Sequence, residues 1–126
     1  MTQRWIVDAM NVIGSRPDGW WKDRRAAMVT LVDHLEQWAS PGHQVTVVFE
    51  RPPSPPIGST VIGIAHAPRA AANSADDEIV RLVDADQDRH ILTVVTSDGA
   101  LAERVRGAGA AVFPSARFRD LIDPRR

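Results

Sequence analysis

Trp5-Ile6-Val7-Asp8-Ala9-Met10-Asn11-Val12-Ile13-Gly14 is the stretch whose reading decides the fold. A short apolar run with a branched pair reads as a strand buried on both faces, the kind found in a parallel sheet. It ends in a carboxylate, Asp8, and three residues later comes an amide, Asn11. Ligands of open α/β sheets bind beyond the carboxyl ends of the strands, so this end is expected to form one wall of an acidic, metal-binding site.

The totals are those of one ordinary domain. At 126 residues the chain can bury a core of its own but cannot divide into two. A hydrophobic share of 44% and a charged share of 25% are globular values and argue against disorder. The absence of cysteine excludes disulfides, thiolate zinc sites and a cysteine nucleophile. No apolar run approaches the roughly 18 residues of a membrane span, and no signal-like stretch opens the chain, so a cytoplasmic location is expected. A net charge of -1 argues against a polycation that coats nucleic acid. Arginines nonetheless cluster near loops, with Arg16, Arg51 and Arg69 among them, while Lys22 is the only lysine.

Downstream, Pro17-Asp18-Gly19 is a turn. A helix is expected from about Lys22 to Ala39, with Met28, Leu31, Val32, Leu35 and Trp38 on one face. Trp20 and Trp21 fall outside that stripe and either staple the helix start or stack a base. Strands are expected at Gln44 to Glu50, Thr60 to Ala65 (an edge, because of Gly63), His90 to Thr96 and Ala110 to Phe113. The prolines from Pro52 to Pro56 make a stiff loop. Helices are expected from Ser74 to about Ala85, from Ala100 to about Arg106, and from Ser115 through Ile122, with residues 122–126 a frayed tail. Ser74 and Asp77 have the spacing of a capping box. The order β-α-β-β-α-β-α-β-α is a single three-layer α/β domain over residues 1–126.

In such a sheet three acidic features open on one edge: Asp8 after the first strand, Asp98 in Thr96-Ser97-Asp98-Gly99 after the fourth, and Asp76-Asp77 in the first turn of a helix. Converging carboxylates repel one another unless a cation lies between them, and an all-oxygen donor set suits Mg²⁺ or Mn²⁺. Asn11 and Ser97 could orient a carboxylate or bond a phosphate oxygen. Each feature has an ordinary explanation as well: Asp98 as a turn or N-cap residue, Asp77 as a cap, and Glu50 and Glu103 as solvated residues.

Val7-Asp8-Ala9-Met10-Asn11-Val12-Ile13, Ser74-Ala75-Asp76-Asp77-Glu78-Ile79 and Val94-Val95-Thr96-Ser97-Asp98 together resemble the three motifs of the NYN domain family. That family is a PIN-like nuclease group, and the match is strongest to its YacP-like branch. The likeness runs from Trp5 to about Ile122. It implies a PIN-like α/β/α fold with a mainly parallel sheet, a divalent-metal site and metal-dependent ribonuclease activity. Carried over by position, Asp8, Asp76 and Asp98 are the metal-binding acids with Asn11 beside them, and Asp77 is the neighbour that could replace Asp76. Two departures stand out: Ala9-Met10 replaces a glycine and an aromatic, and Ala102 stands where a fourth acid is expected, so that a fourth ligand comes from Glu103 or is missing.

The leading expectation is therefore an endoribonuclease in which Arg16, Arg51 and Arg69 grip the RNA backbone and Trp20 or Trp21 stacks a base. A non-catalytic RNA-binding or ribosome-associated module is the second reading. A phosphoryl-handling receiver or phosphatase is the third, disfavoured by the lack of any lysine after Lys22 and by Met10 two residues after Asp8. Oligomeric state is open, a homodimer among the options.

Overall fold

The branched apolar runs become five parallel strands: β1 (Gln3–Asp8), β2 (His43–Phe49), β3 (Gly63–His66), β4 (Leu92–Val95) and β5 (Ala111–Phe113), in the order β3-β2-β1-β4-β5. The structure is a computed structural model that describes residues 3–39, 42–68 and 74–124. Helices α1 (Ala9–Ile13), α2 (Arg24–Ala39) and α5 (Ser115–Ile122) cover one face, and α3 (Ser74–Ala85) and α4 (Gly99–Gly107) the other. The domain is thus three layers, as its element order implied.

Alternation along β1 shows why both faces are apolar. Val7 packs with Val47, Val95, Leu31, Leu35 and Phe118, whereas Ile6 packs with Val48, Val94, Ile79, Leu101 and Val105. Successive side chains of a strand point to opposite faces, so a central strand between helical layers must be apolar at every position until it reaches the edge. Asp8 is the residue at which that run stops.

The sequence reading missed α1. Ala9 to Ile13 continue the apolar run, and five residues are too few to separate a strand from a helical turn by period. The helix turns Asn11 back over the sheet edge and buries Val12 and Ile13. Helix α2 begins at Arg24, after a 3₁₀ turn at Trp20–Lys22, because Asp23 Oδ1 accepts from the Ala26 N–H at 3.0 Å and acts as its cap. β3 is the expected edge strand but starts at Gly63, three residues late. The Ser59 hydroxyl accepts from the Val61 and Ile62 N–H groups and holds that segment in a turn. A Cβ on Gly63 would lie 3.0 Å from Thr46 Oγ1 on the neighbouring strand, so any larger residue there would have to displace the Thr46 side chain.

The capping box is displaced. Ser74 is the first helical residue and its hydroxyl donates to the Glu50 carbonyl, while Asp77 accepts from Arg104 at 3.0 Å. Nor does the chain fray at residue 122. Ile122 is 4% exposed, and Asp123 pairs with Arg16 at 3.5 Å. No helix among the described residues is long and apolar enough to cross a membrane.

Candidate active site

With β1 in the centre, the chain goes from β1 to β2 and β3 on one side and to β4 and β5 on the other. The gap between β1 and β4 is therefore the topological switch point, where the loops at the strand ends diverge and leave a crevice. Asp8 ends β1 and Thr96-Ser97-Asp98 follow β4, so both motifs arrive there by connectivity alone. The crevice is a cleft of about 270 Å³ lined by Asp8, Asn11, Glu50, Ser74, Asp76 and Asp98, together with Met10 and Ala75.

Asp8 is 7% exposed. Its Oδ2 accepts from Thr96 Oγ1 at 2.9 Å. It forms no ion pair with any described residue. The other buried carboxylate, Glu78, is clamped by Arg81 at 2.8 and 2.7 Å and held below the usual carboxylate range by those bonds. Burial pushes Asp8 the other way, up to about 6, and the charges of Asp76, Asp98 and Glu50 add to the rise while the Thr96 bond opposes it. A buried anion without a cation is costly, so this position favours either a proton or a positive ligand.

Asp76 is half-buried and is raised by burial first and then by Asp98, with Arg104 acting against the rise. Asp98 caps α4: its Oδ1 accepts from the Leu101 N–H at 3.0 Å. It therefore has the ordinary role of a cap and also lines the cleft. Asp77, next to Asp76 in sequence, points instead to Arg104, is exposed and is absent from the cleft wall.

Asn11 is held by two hydrogen bonds, and a third closes the ring around it. Its Oδ1 accepts from the Ser97 N–H at 2.8 Å and from Ser115 Oγ at 2.5 Å, and the Ser97 hydroxyl accepts from the Ser115 N–H at 2.9 Å. These bonds tie α1, the β4–α4 loop and the start of α5 into one unit. Asn11 and Ser97 thus spend these groups on holding the edge together, and Thr96 holds both acids: its Oγ1 donates to Asp8 and accepts from the Asp98 N–H at 3.2 Å.

Of the remaining expected residues, Arg51 lies beside the cleft, in a neighbouring pocket that shares Met10 and Glu50 with it. Arg16 and Trp20 line a different and larger cavity of about 490 Å³, between α1, α2 and α5. There Arg16 pairs with Asp120 and Asp123, and Trp20 packs on the core with the Arg24 guanidinium 5.2 Å from its ring. Arg69 lies outside the described residues. Glu103, the expected substitute for the fourth acid, is exposed on α4 and does not reach the cleft wall. Glu50 does. The signal was available: Glu50 follows a strand that pairs with β1 in the register Asp8↔Val48, which carries both acids to the same edge.

The donors suit a hard divalent cation, being carboxylate oxygens that raise one another's affinity for positive charge. As placed, however, no three carboxylate or imidazole groups among the described residues are grouped closely enough to hold an ion.

The domain is a parallel α/β/α sheet whose switch point carries Asp8, Glu50, Asp76 and Asp98 around one cleft. A family model for the YacP-like NYN domain matches residues 5–126, and the chain belongs to that family. Its fold is similar to that of Rae1 (YacP) from Bacillus subtilis, with a TM-score of 0.76, 23% sequence identity and coverage of 98% of this chain and 77% of that one. A mutant form of the same protein superposes with a TM-score of 0.78 at 22% identity, covering 98% of this chain and 79% of the other. Among curated proteins, none matches this chain in sequence.

Proposed function

We propose that the chain is a metal-dependent endoribonuclease that hydrolyses RNA phosphodiester bonds, with Asp8, Asp76 and Asp98 as the ligands of Mg²⁺ or Mn²⁺. The observation that carries this reading is Asp8 itself, a buried carboxylate with other acids around it and no cationic partner among the described residues. A divalent ion bound there would supply an activated water and offset the charge that develops on the phosphate. The chain's own part is positional. Thr96 fixes the Asp8 carboxylate and the Asp98 backbone, Asn11 and Ser97 lock the loop that carries them, and Glu50 adds negative charge at the rim. RNA as the substrate class rests on family membership within this proposal, and a cytoplasmic setting on the absence of cysteine and of a signal-like stretch.

A second reading, a non-catalytic RNA-binding or ribosome-associated module, is favoured by one observation: the acids are not grouped to hold an ion as they stand. Labelled RNA incubated with Mn²⁺ or Mg²⁺ separates the two. Metal-dependent cleavage by the native chain that disappears in Asp8→Asn supports the nuclease. Retained binding without cleavage in either metal supports the module.

A further inference from the structure

Met10 and Glu50 belong to two depressions at once, the acidic cleft and a pocket of about 370 Å³ next to it. The chemistry changes sharply across that shared wall. The cleft is lined by Asp8, Asp76 and Asp98, whereas the pocket has an apolar floor of Met10, Met28 and Phe49 and a rim that carries Arg24, Arg25 and Arg51. Two of these arginines are held in place. Arg25 donates to the Pro55 carbonyl, and Arg24 lies against the Trp20 ring. Arg51 is exposed and has no hydrogen bond or ion pair with any described residue.

An apolar slot ringed by guanidinium groups matches one ligand shape: a flat ring attached to a phosphate chain. Guanidinium planes stack on nucleobases and pair with phosphates, and thioether and proline surfaces pack against the base face. The slot lies at the carboxyl end of β2, the strand paired with β1, so an occupant there is separated from the acidic cleft only by the shared Met10 and Glu50. A duplex keeps its bases stacked inside and cannot offer one to a slot, whereas a single strand can.

We infer that this pocket receives one unstacked nucleobase of single-stranded RNA next to the phosphate in the acidic cleft, with Arg24, Arg25 and Arg51 holding the flanking phosphates. The inference rests on the proposed ribonuclease reading and adds to it a base-binding subsite outside the acidic cleft. It makes Arg24 and Arg25 substrate-binding residues along with Arg51.

The test measures binding without chemistry. Fluorescence anisotropy of an end-labelled oligoribonucleotide is recorded in EDTA, with a single abasic nucleotide stepped along the strand. One abasic position is expected to weaken binding about tenfold while the others change it little. Annealing the complementary strand is expected to abolish tight binding. Arg51→Gln, an exposed substitution that leaves the core intact, is expected to flatten the abasic profile. A flat profile in the native chain, equal affinity for duplex, or no measurable binding overturns the slot. The outcome is separable from that of the cleavage assay. Cleavage with a flat profile removes the slot and keeps the nuclease, and a peaked profile without cleavage does the reverse.

Discussion

Thr96 donates its hydroxyl hydrogen to Asp8 across 2.9 Å, joining the ends of two adjacent parallel strands whose residues lie 88 positions apart. The same oxygen accepts from the Asp98 N–H, so one buried hydroxyl spaces both acids of the switch point. Thr96→Val keeps the shape and removes both bonds. It is expected to raise the Asp8 midpoint above about 6, because the bond that lowers it is gone. Stability should fall by about 1–3 kcal/mol, since the Asp98 N–H loses its acceptor. Carboxyl NMR titration and urea unfolding measure the two effects.

Asp8 should make the protein less stable as pH rises. Its folded midpoint is about 6 against an ordinary 3.8, so the native state holds its proton more tightly than the unfolded chain. The stabilisation is full below pH 3.8 and is lost as pH rises through about 6. A rise of this size corresponds to roughly 3 kcal/mol. Asp8→Asn is therefore expected to be more stable than the native chain at pH 7.5 and to lose that advantage near pH 4, in denaturant titrations at both pH values.

If a divalent ion neutralises the buried carboxylate, Mn²⁺ should offset the same penalty. Melting at pH 7.5 is expected to shift upward with added Mn²⁺ in the native chain, by about 2.7 kcal/mol at one hundred times the dissociation constant. The shift should vanish in Asp8→Asn and shrink at pH 5, where protons compete for the site. A native chain that melts identically with and without Mn²⁺ or Mg²⁺ would remove the metal from the proposal.

Asn11→Ala leaves the Ser97 N–H and the fully buried Ser115 hydroxyl without their shared acceptor. A loss of about 1–3 kcal/mol in unfolding free energy is expected, from the buried Ser115 hydroxyl, because Ser97 is exposed and its N–H can turn to water. Asn11→Asp keeps an oxygen at the same place and should recover much of that loss. If both variants fold as stably as the native chain, Asn11 does not hold the edge.

Ile122→Ala tests the end of the chain. Its side chain is buried against the α1–α2 face, so truncation is expected to cost about 2–4 kcal/mol, where a frayed residue would cost almost nothing. Thermal unfolding of the single variant decides it.

The periodic elements could be read from the sequence because their signal is local. Branched runs such as Val45 to Phe49 and the stripe Leu31, Val32, Leu35 carry their own period, and Asp8 and Asp98 declare themselves by ending apolar runs. The family motifs add the order in which these ends occur. The remaining details depended on contacts between segments far apart in the chain. Asp76 and Asp77 could not be ranked firmly by sequence; successive positions on α3 point in different directions, so Asp76 lines the cleft while Asp77 pairs with Arg104 on α4. Glu103 was the expected fourth acid and Glu50 a solvated residue, but parallel pairing of β2 with β1 carries Glu50 to the cleft while Glu103 stays outside its wall. Arg16 looked like a phosphate contact until α5 brought Asp120 and Asp123 to it. A sequence determines which residues can carry charge or form a strand. Which charges end up facing one another is decided by the crossing of the chain at the β1–β4 switch point, where loops separated by most of the sequence meet.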